Sequence, residues 1–252
     1  MTTLLLSGLA VTAAVCASLT AAVIPLLRRA RVVDVPGDRS LHRTPVPRGG
    51  GLAIVLAASL ATWTAVLAAV HLQGAVHAMS GVDVALMGLA TVLAFALLGL
   101  IEDLFSVSVR TRLVLQLILG AGLGLVAHSA FEVSLWWTPT ICVGTAALVN
   151  ATNFMDGANG LACGHALLTS LWYVQVAAVA PVAGLGLVMV SVAGACLGFL
   201  PFNTPRAKVF LGDSGSYALG SAWAFAVTAC LSRGVAMEAA LAPVLVLLAD
   251  TG

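Results

Sequence analysis

Polar and apolar positions along the chain sort into long stretches without an ionisable Asp, Glu, Lys or Arg, separated by short polar punctuation. Those stretches run 1–27, 49–82, 84–101, 113–131, 133–155, 157–205, 214–232 and 234–249, the last interrupted only by Glu238. A helix that crosses a bilayer needs about 20 mostly apolar residues. Most stretches therefore hold one helix, and the 49-residue one holds two, broken near Pro181–Gly184. The pattern predicts nine helices, near 3–27, 51–72, 84–101, 113–130, 134–152, 161–180, 184–201, 214–231 and 235–250. The expected fold is all-α, a polytopic transmembrane bundle in which residues 1–252 form a single integral membrane domain.

Composition agrees with that reading. Of 252 residues 61% are hydrophobic and 8% charged, against roughly 25% charged in a soluble domain. The net charge of +1 and the lack of any basic module argue against a nucleic-acid partner. Five cysteines are scattered without paired spacing, so they read as small buried residues and not as a disulfide framework or zinc site. The first stretch could pass for a signal peptide. Its arginines (Arg28, Arg29, Arg31) follow the apolar run, however, and so it is expected to stay as a helix with its N-terminus outside.

Nine helices place Arg28, Arg29, Arg31, Arg39, Arg43, Arg48, Arg110, Arg112, Arg206 and Lys208 on one side and Arg233 alone on the other. Ten of the 11 basic residues thus share a side, which the positive-inside rule makes cytoplasmic. Asp34, Asp38, Glu102, Asp103, Asp156, Asp213 and Asp250 fall there too. Acids do little to set topology, so their presence needs another cause. Phosphate chemistry with a divalent cation supplies one, because acids hold the metal and bases hold the phosphates. No ionisable residue lies clearly at mid-span, which disfavours an ion-coupled transporter.

Four loops carry the candidate chemistry. In the first, Pro36, Gly37, Pro45 and Pro47 forbid a regular helix, and Gly49, Gly50 and Gly51 open the next one. Free amides there could seat an anion, or the glycines could simply let helices pack. The second holds the adjacent acids Glu102 and Asp103, whose repulsion a cation would relieve, followed by Arg110 and Arg112. In the third, Asn150, Asn153, Asp156 and Asn159 recur every three residues, a spacing that puts them near one face and points to a binding site. The fourth brings Asn203, Arg206 and Lys208, then Asp213 at a helix start, where a carboxylate can also be an ordinary cap. Carboxylate and amide oxygens without a Cys or His cluster favour magnesium over zinc.

In order, VDVPGDRSLHRTPVPRGGG, EDLFSVSVR, NATNFMDGANGLACG and FNTPRAKVFLGDSGS resemble the motifs of the polyprenyl-phosphate N-acetylhexosamine-1-phosphate transferases, the WecA-type branch more than the MraY branch. The resemblance extends from about Val33 to Asp250. It implies that polyprenyl (undecaprenyl) phosphate attacks the sugar-linked phosphorus of a UDP-N-acetylhexosamine, releasing UMP and starting a cell-envelope glycan at the inner leaflet of a bacterial plasma membrane. By motif, Glu102 and Asp103 match the acidic pair that handles the lipid phosphate, Asp213 the Mg2+ ligand, and Asn153 a second ligand. Asp156 and Asn159 match positions near the nucleotide, Arg48 and Arg110 would hold phosphates, and Asn150 and Asn203 are further expected substrate contacts.

A phosphate monoester has its second pKa near 6, so its nucleophilic oxygen needs no strong base, and direct attack is favoured over an aspartyl-phosphate intermediate. The chain departs from the family in its Glu-Asp pair, usually Asp-Asp, and in Asn159, where many members carry Asp. The family also continues past a ninth helix into a histidine-rich loop, tied to sugar recognition, and at least one further helix, which these residues lack. The alternative reading is a non-catalytic binder or carrier of polyprenyl phosphate in the bilayer. A homodimer is left open.

Overall fold

A computed structural model describes residues 2–36, 44–73, 75–180 and 182–251. Asp38, Arg39 and Arg43, and the side chain of Asp250, lie outside the described residues. Within them the chain forms nine α-helices: α1 (Thr2–Arg29), α2 (Gly51–Gln73), α3 (Ala75–Phe105), α4 (Val109–Phe131), α5 (Thr138–Met155), α6 (Leu161–Val179), α7 (Leu185–Asn203), α8 (Gly212–Ser232) and α9 (Met237–Thr251). Six of these, α1 to α4, α6 and α7, are long and apolar enough to cross a membrane. The chain is a multi-pass membrane protein.

Two boundaries differ from the expected ones for physical reasons. Helix α3 begins at Ala75, well before Asp83; that aspartate is exposed, so a single charge on an outward face does not end a helix. Helix α5 begins at Thr138 because Leu135–Trp137 forms a 3-10 turn first, with Pro139 placed in the opening helical turn where its missing N–H costs nothing. The break near Pro181 is present, with Gly184 at φ +86° starting α7.

Helices in a bilayer gain little hydrophobic energy from meeting each other, so close backbone approach through small residues has to hold them. Helix α8 is the centre of this packing and is buried along nearly its whole length. It lies most extensively against α3 and α5. Phe225 covers Gly88 of α3, and Gly220 rests on the Leu148–Val149 backbone of α5. At the periphery, α1 buries one stripe, Thr12, Cys16 and Thr20, against α7, where Gly194 and Gly198 meet the α1 backbone at Leu9 and Ala13. Helix α9 is tied to α6. Pro243 cannot donate to Ala239 four residues back, and Trp172 Nε1 donates to that carbonyl instead at 2.8 Å. Tyr173 adds a 2.8 Å hydrogen bond to the Ala240 carbonyl. All five cysteines are free thiols and four are buried.

The first loop contains a small antiparallel ribbon, β1 (Val33–Asp34) with β2 (Val46–Pro47), Val33 opposite Pro47. The Arg48 amide extends it to the Val32 carbonyl at 3.1 Å, and the Phe210 amide reaches the Pro47 carbonyl at 2.8 Å. The ribbon thereby fixes Arg48 beside the start of α8.

Candidate functional site

The site forms where the ends of α3 and α5 and the starts of α2 and α8 meet. Three glycine contacts make the meeting close enough. Gly51 abuts the Gly215 backbone, a Cβ on Gly99 would strike the Asp213 carbonyl, and Gly212 at φ +76° lies against the Gly49 amide and the Asp103 carboxylate. The sequence left open whether Gly49–Gly51 seat an anion or pack helices. At two of the three the packing role holds: the Gly50 and Gly51 amides donate to the Phe210 and Leu211 carbonyls at 2.9 and 2.8 Å. Backbone pairing across the junction has taken both of those donors.

Asp103, at the last turn of α3, has a side chain only 2% exposed. Its carboxylate accepts the Asp213 amide at 3.0 Å and the Ser214 amide at 2.9 Å. It therefore caps α8 from another helix, satisfying amides that lack partners in the first helical turn. Asp213, the obvious candidate for that cap, is freed from it. Its Oδ2 receives Arg48 Nη2 at 2.7 Å, and its Oδ1 receives the Asn153 amide group. Arg48 Nε also meets Asp103 Oδ1 at 3.0 Å, so one guanidinium bridges both carboxylates. Asn153 is held in turn by Ser216 Oγ at 3.0 Å.

Asp156 follows the last residue of α5 and lies close to the Gly212 backbone. Burial first, then the Asp213 charge, pushes its carboxyl up to about 8, although Arg48 and the Gly212 contact pull the other way. Burial likewise disfavours the Arg48 charge, but Asp213, Asp103 and Asp34 more than offset it and hold that guanidinium above its ordinary range. Asp103, Asp156 and Asp213 thus gather around a single arginine, and burial, more than their mutual repulsion, keeps the Asp156 carboxyl raised.

The other expected contacts are placed differently. Glu102 turns away from Asp103 toward the α3–α4 connection, accepting the Val107 amide at 3.1 Å and pairing with Arg112 at 3.6 Å. Arg110 is exposed and makes no ion pair among the described residues. Asn150 donates to Gln116 Oε1 at 2.6 Å and to the Ala146 carbonyl at 2.8 Å, joining α5 to α4. Asn203 is 2% exposed and ties two loops, accepting the Gly160 amide at 2.8 Å and donating to the Val209 carbonyl at 3.1 Å. Asn159 reaches only the Pro205 carbonyl, at 3.4 Å. The four polar residues spaced by three therefore do not share a face. Helical geometry stops at Met155, and each later residue follows the turn instead. His165, beyond them, stands edge-on to Trp223 at 5.1 Å and links α6 to α8.

Arg112 is the residue that sequence reasoning undervalued in favour of Arg110. A signal was available. Arg112, Gln116, Gly120, Leu123, Gly124 and Ala127 follow a helical stripe, and all after the first are buried. Arg112 thus faces inward and Arg110 does not.

Comparison with known proteins identifies the family. The sequence model described as glycosyl transferase family 4 matches residues 85–231, more than half of the chain and including Glu102, Asp103, Asn153 and Asp213. The decaprenyl-phosphate N-acetylglucosaminephosphotransferase of Mycobacterium leprae is 33% identical over 228 residues, covering 81% of this chain and 55% of that protein. Its counterpart in Mycobacterium tuberculosis (strain CDC 1551 / Oshkosh) is 33% identical over 225 residues, covering 81% and 54%. The phospho-N-acetylmuramoyl-pentapeptide-transferase of Desulforudis audaxviator is 32% identical over 235 residues, covering 79% and 68%. The chain spans about half the length of the mycobacterial relatives. With the ordered motifs, the helical bundle and the family match in agreement, the chain belongs to glycosyl transferase family 4.

Proposed function

We propose that the intact protein transfers an N-acetylhexosamine 1-phosphate from a UDP-sugar to polyprenyl phosphate, releasing UMP, with Mg2+ as cofactor and with the site facing the cytoplasm of a bacterial plasma membrane. The observation that carries this reading is the meeting of Asp103, Asp213, Asn153 and Arg48, drawn from four separate elements, within hydrogen-bond distance. The names of the mycobacterial relatives point to the same acceptor and sugar class. The sidedness follows from the segregation of ten of 11 basic residues.

The donor set suits magnesium. No group of three His, Cys, Asp or Glu side chains forms a chelate among the described residues. Magnesium commonly needs none, taking one or two carboxylates and completing its shell with substrate phosphates and water. Asp213 would be the first ligand, the Asn153 amide oxygen a second, and Asp156 a further negative group close by. When bound, the ion neutralises the diphosphate and the charge that develops on departing UMP.

The protein's own residues then orient the reactants. A lipid phosphate oxygen attacks the sugar-linked phosphorus, the bond to the UMP oxygen breaks, and UMP leaves with the electron pair. The nucleophile is largely dianionic at neutral pH. Asp103 has both oxygens committed to α8 and Arg48, which suits a positioning role and not that of a free base. Arg48, 41% exposed at its side chain, has an edge available to phosphate.

Membranes carrying the complete protein, supplied with labelled UDP-N-acetylhexosamines and undecaprenyl phosphate, are expected to yield butanol-extractable lipid product. EDTA should abolish it and Mg2+ restore it. Asp213→Asn should lower the rate by about 100-fold or more, the scale of losing one electrostatic element of a phosphoryl-transfer site. Absence of lipid product, or full activity in Asp213→Asn, overturns the reading. Lipid binding without UMP release would assign the carrier role instead.

A further inference from the structure

Tyr217 follows Asp213 by one turn of α8 and is wholly buried. Its ring is wedged among Phe95 and Leu98 of α3, Val149 of α5, and Leu115 and Leu119 of α4. An all-apolar setting of that kind would suit phenylalanine. The hydroxyl is buried and closes no hydrogen bond of strict geometry, although the Arg112 side chain lies within loose hydrogen-bonding reach of it. The charges that act on it are those of Asp213, Arg112 and Glu102. Arg112 reaches Glu102 only at 3.6 Å, and its side chain is 24% exposed against 12% for Glu102. The guanidinium is therefore loosely held at the rim of the site with the tyrosine hydroxyl behind it.

We propose that Tyr217 is a positioning residue that, together with Glu102, fixes the Arg112 guanidinium for a substrate phosphate at the mouth of the site. Arginine only donates hydrogen bonds, and a phenol both donates and accepts. The Tyr217 oxygen can take one N–H of Arg112 while its proton turns to the Glu102 carboxylate, which leaves the outer edge of the guanidinium for two phosphate oxygens. That planar two-point contact is what arginine makes best, provided its orientation is held. The longer reach of glutamate at position 102 is what allows it to serve Val107 and Arg112 at once. The substrate rests on the transferase reading above; the choice of residue rests on the packing of Tyr217 and on the Arg112–Glu102 pair beside its hydroxyl.

Tyr217→Phe removes one oxygen from a filled apolar pocket, so folded yield and Tm should not fall. With the complete protein, the KM for the substrate whose phosphate Arg112 holds should rise about tenfold, the scale of one hydrogen bond to a charged group, and more than kcat falls. Titrating undecaprenyl phosphate and the UDP-sugar separately identifies which phosphate it is. In an Arg112→Lys background, Tyr217→Phe should add less than twofold, because the planar group it orients is gone. Equal losses for both substrates, unchanged KM values, or effects that simply multiply would overturn the proposal. If the wild type transfers nothing, the transferase reading fails separately. Binding of undecaprenyl phosphate and of the UDP-sugar to protein in nanodiscs then decides for Tyr217: weakening of one by Tyr217→Phe supports it, and unchanged binding of both overturns it.

Discussion

Helices α1 and α8 behave as opposites. Helix α1 is apolar enough to cross a membrane and turns most of its surface outward, with Leu6 and Val11 at 66% and 63% exposure. Helix α8 is buried almost throughout, carries Asp213 and several serines, and is not among the helices apolar enough to qualify as spans. Hydropathy alone does not report depth within the protein: α7 is as apolar as α1, yet its span is 61% buried against 17%. A helix shielded by its neighbours is free to carry polar groups, provided each finds a partner. The functional side chains gather around the start of this shielded helix, with Asp103 from the end of α3, Asn153 from the end of α5 and Arg48 from the first loop.

The contrast can be broken most severely at the backbone contacts of α8. Gly99→Ala drives a methyl into the Asp213 carbonyl and should abolish folded protein on gel filtration in detergent. Gly122→Ala, on a helix with nothing within 4 Å of the new methyl, should be neutral or stabilising by up to ~1 kcal/mol. Equal tolerance at the two glycines would mean that the α3–α8 junction is looser than described. Next in size, Arg48→Ala leaves two largely buried carboxylates facing each other, and should lower Tm as well as activity. Arg48→Ala combined with Asp213→Asn should be less unstable than Arg48→Ala alone, because one uncompensated charge is removed.

Smaller losses are expected where side chains organise loops or helices. Asn203→Ala removes one hydrogen bond to the α5–α6 connection and one to the α7–α8 connection, and should cost about 1–3 kcal/mol in thermal unfolding. If Asn203 instead contacted substrate, KM would rise with no change in Tm. Trp172→Phe frees the Ala239 carbonyl and should cost about 1 kcal/mol. Least of all, Leu6→Ala on the outer face of α1 should stay within roughly 0.5 kcal/mol of wild type.

Much of the architecture was legible in the charge-free stretches, because crossing a bilayer demands long apolar runs. The places where that logic misread the chain are informative. Asp83 interrupts an apolar run without interrupting α3, since an exposed carboxylate needs only water. The site was legible as four polar loops that had to share one side. Which side chain did what was not, because the roles depend on contacts between distant residues. Asp213 stands at its helix start as an ordinary cap would, yet the cap is Asp103, 110 residues away. Asn150 sits within a polar motif, but its partner is Gln116, which no local pattern announces. Arg112 could have been found by tracing the buried stripe of α4. Tyr217 could not, because its neighbours come from three other helices.

The borrowed cap also bears on how the chain is assembled. Helix α8 starts with amides that nothing in its own sequence satisfies, while their acceptor leaves the ribosome more than a hundred residues sooner. The carboxylate of α3 is therefore already waiting when α8 enters the membrane, and the last central helix has a prepared berth. Two co-expressed pieces divided in the α6–α7 connection should reassemble, whereas a permuted chain that delivers α8 first would leave its opening amides uncapped until α3 arrives.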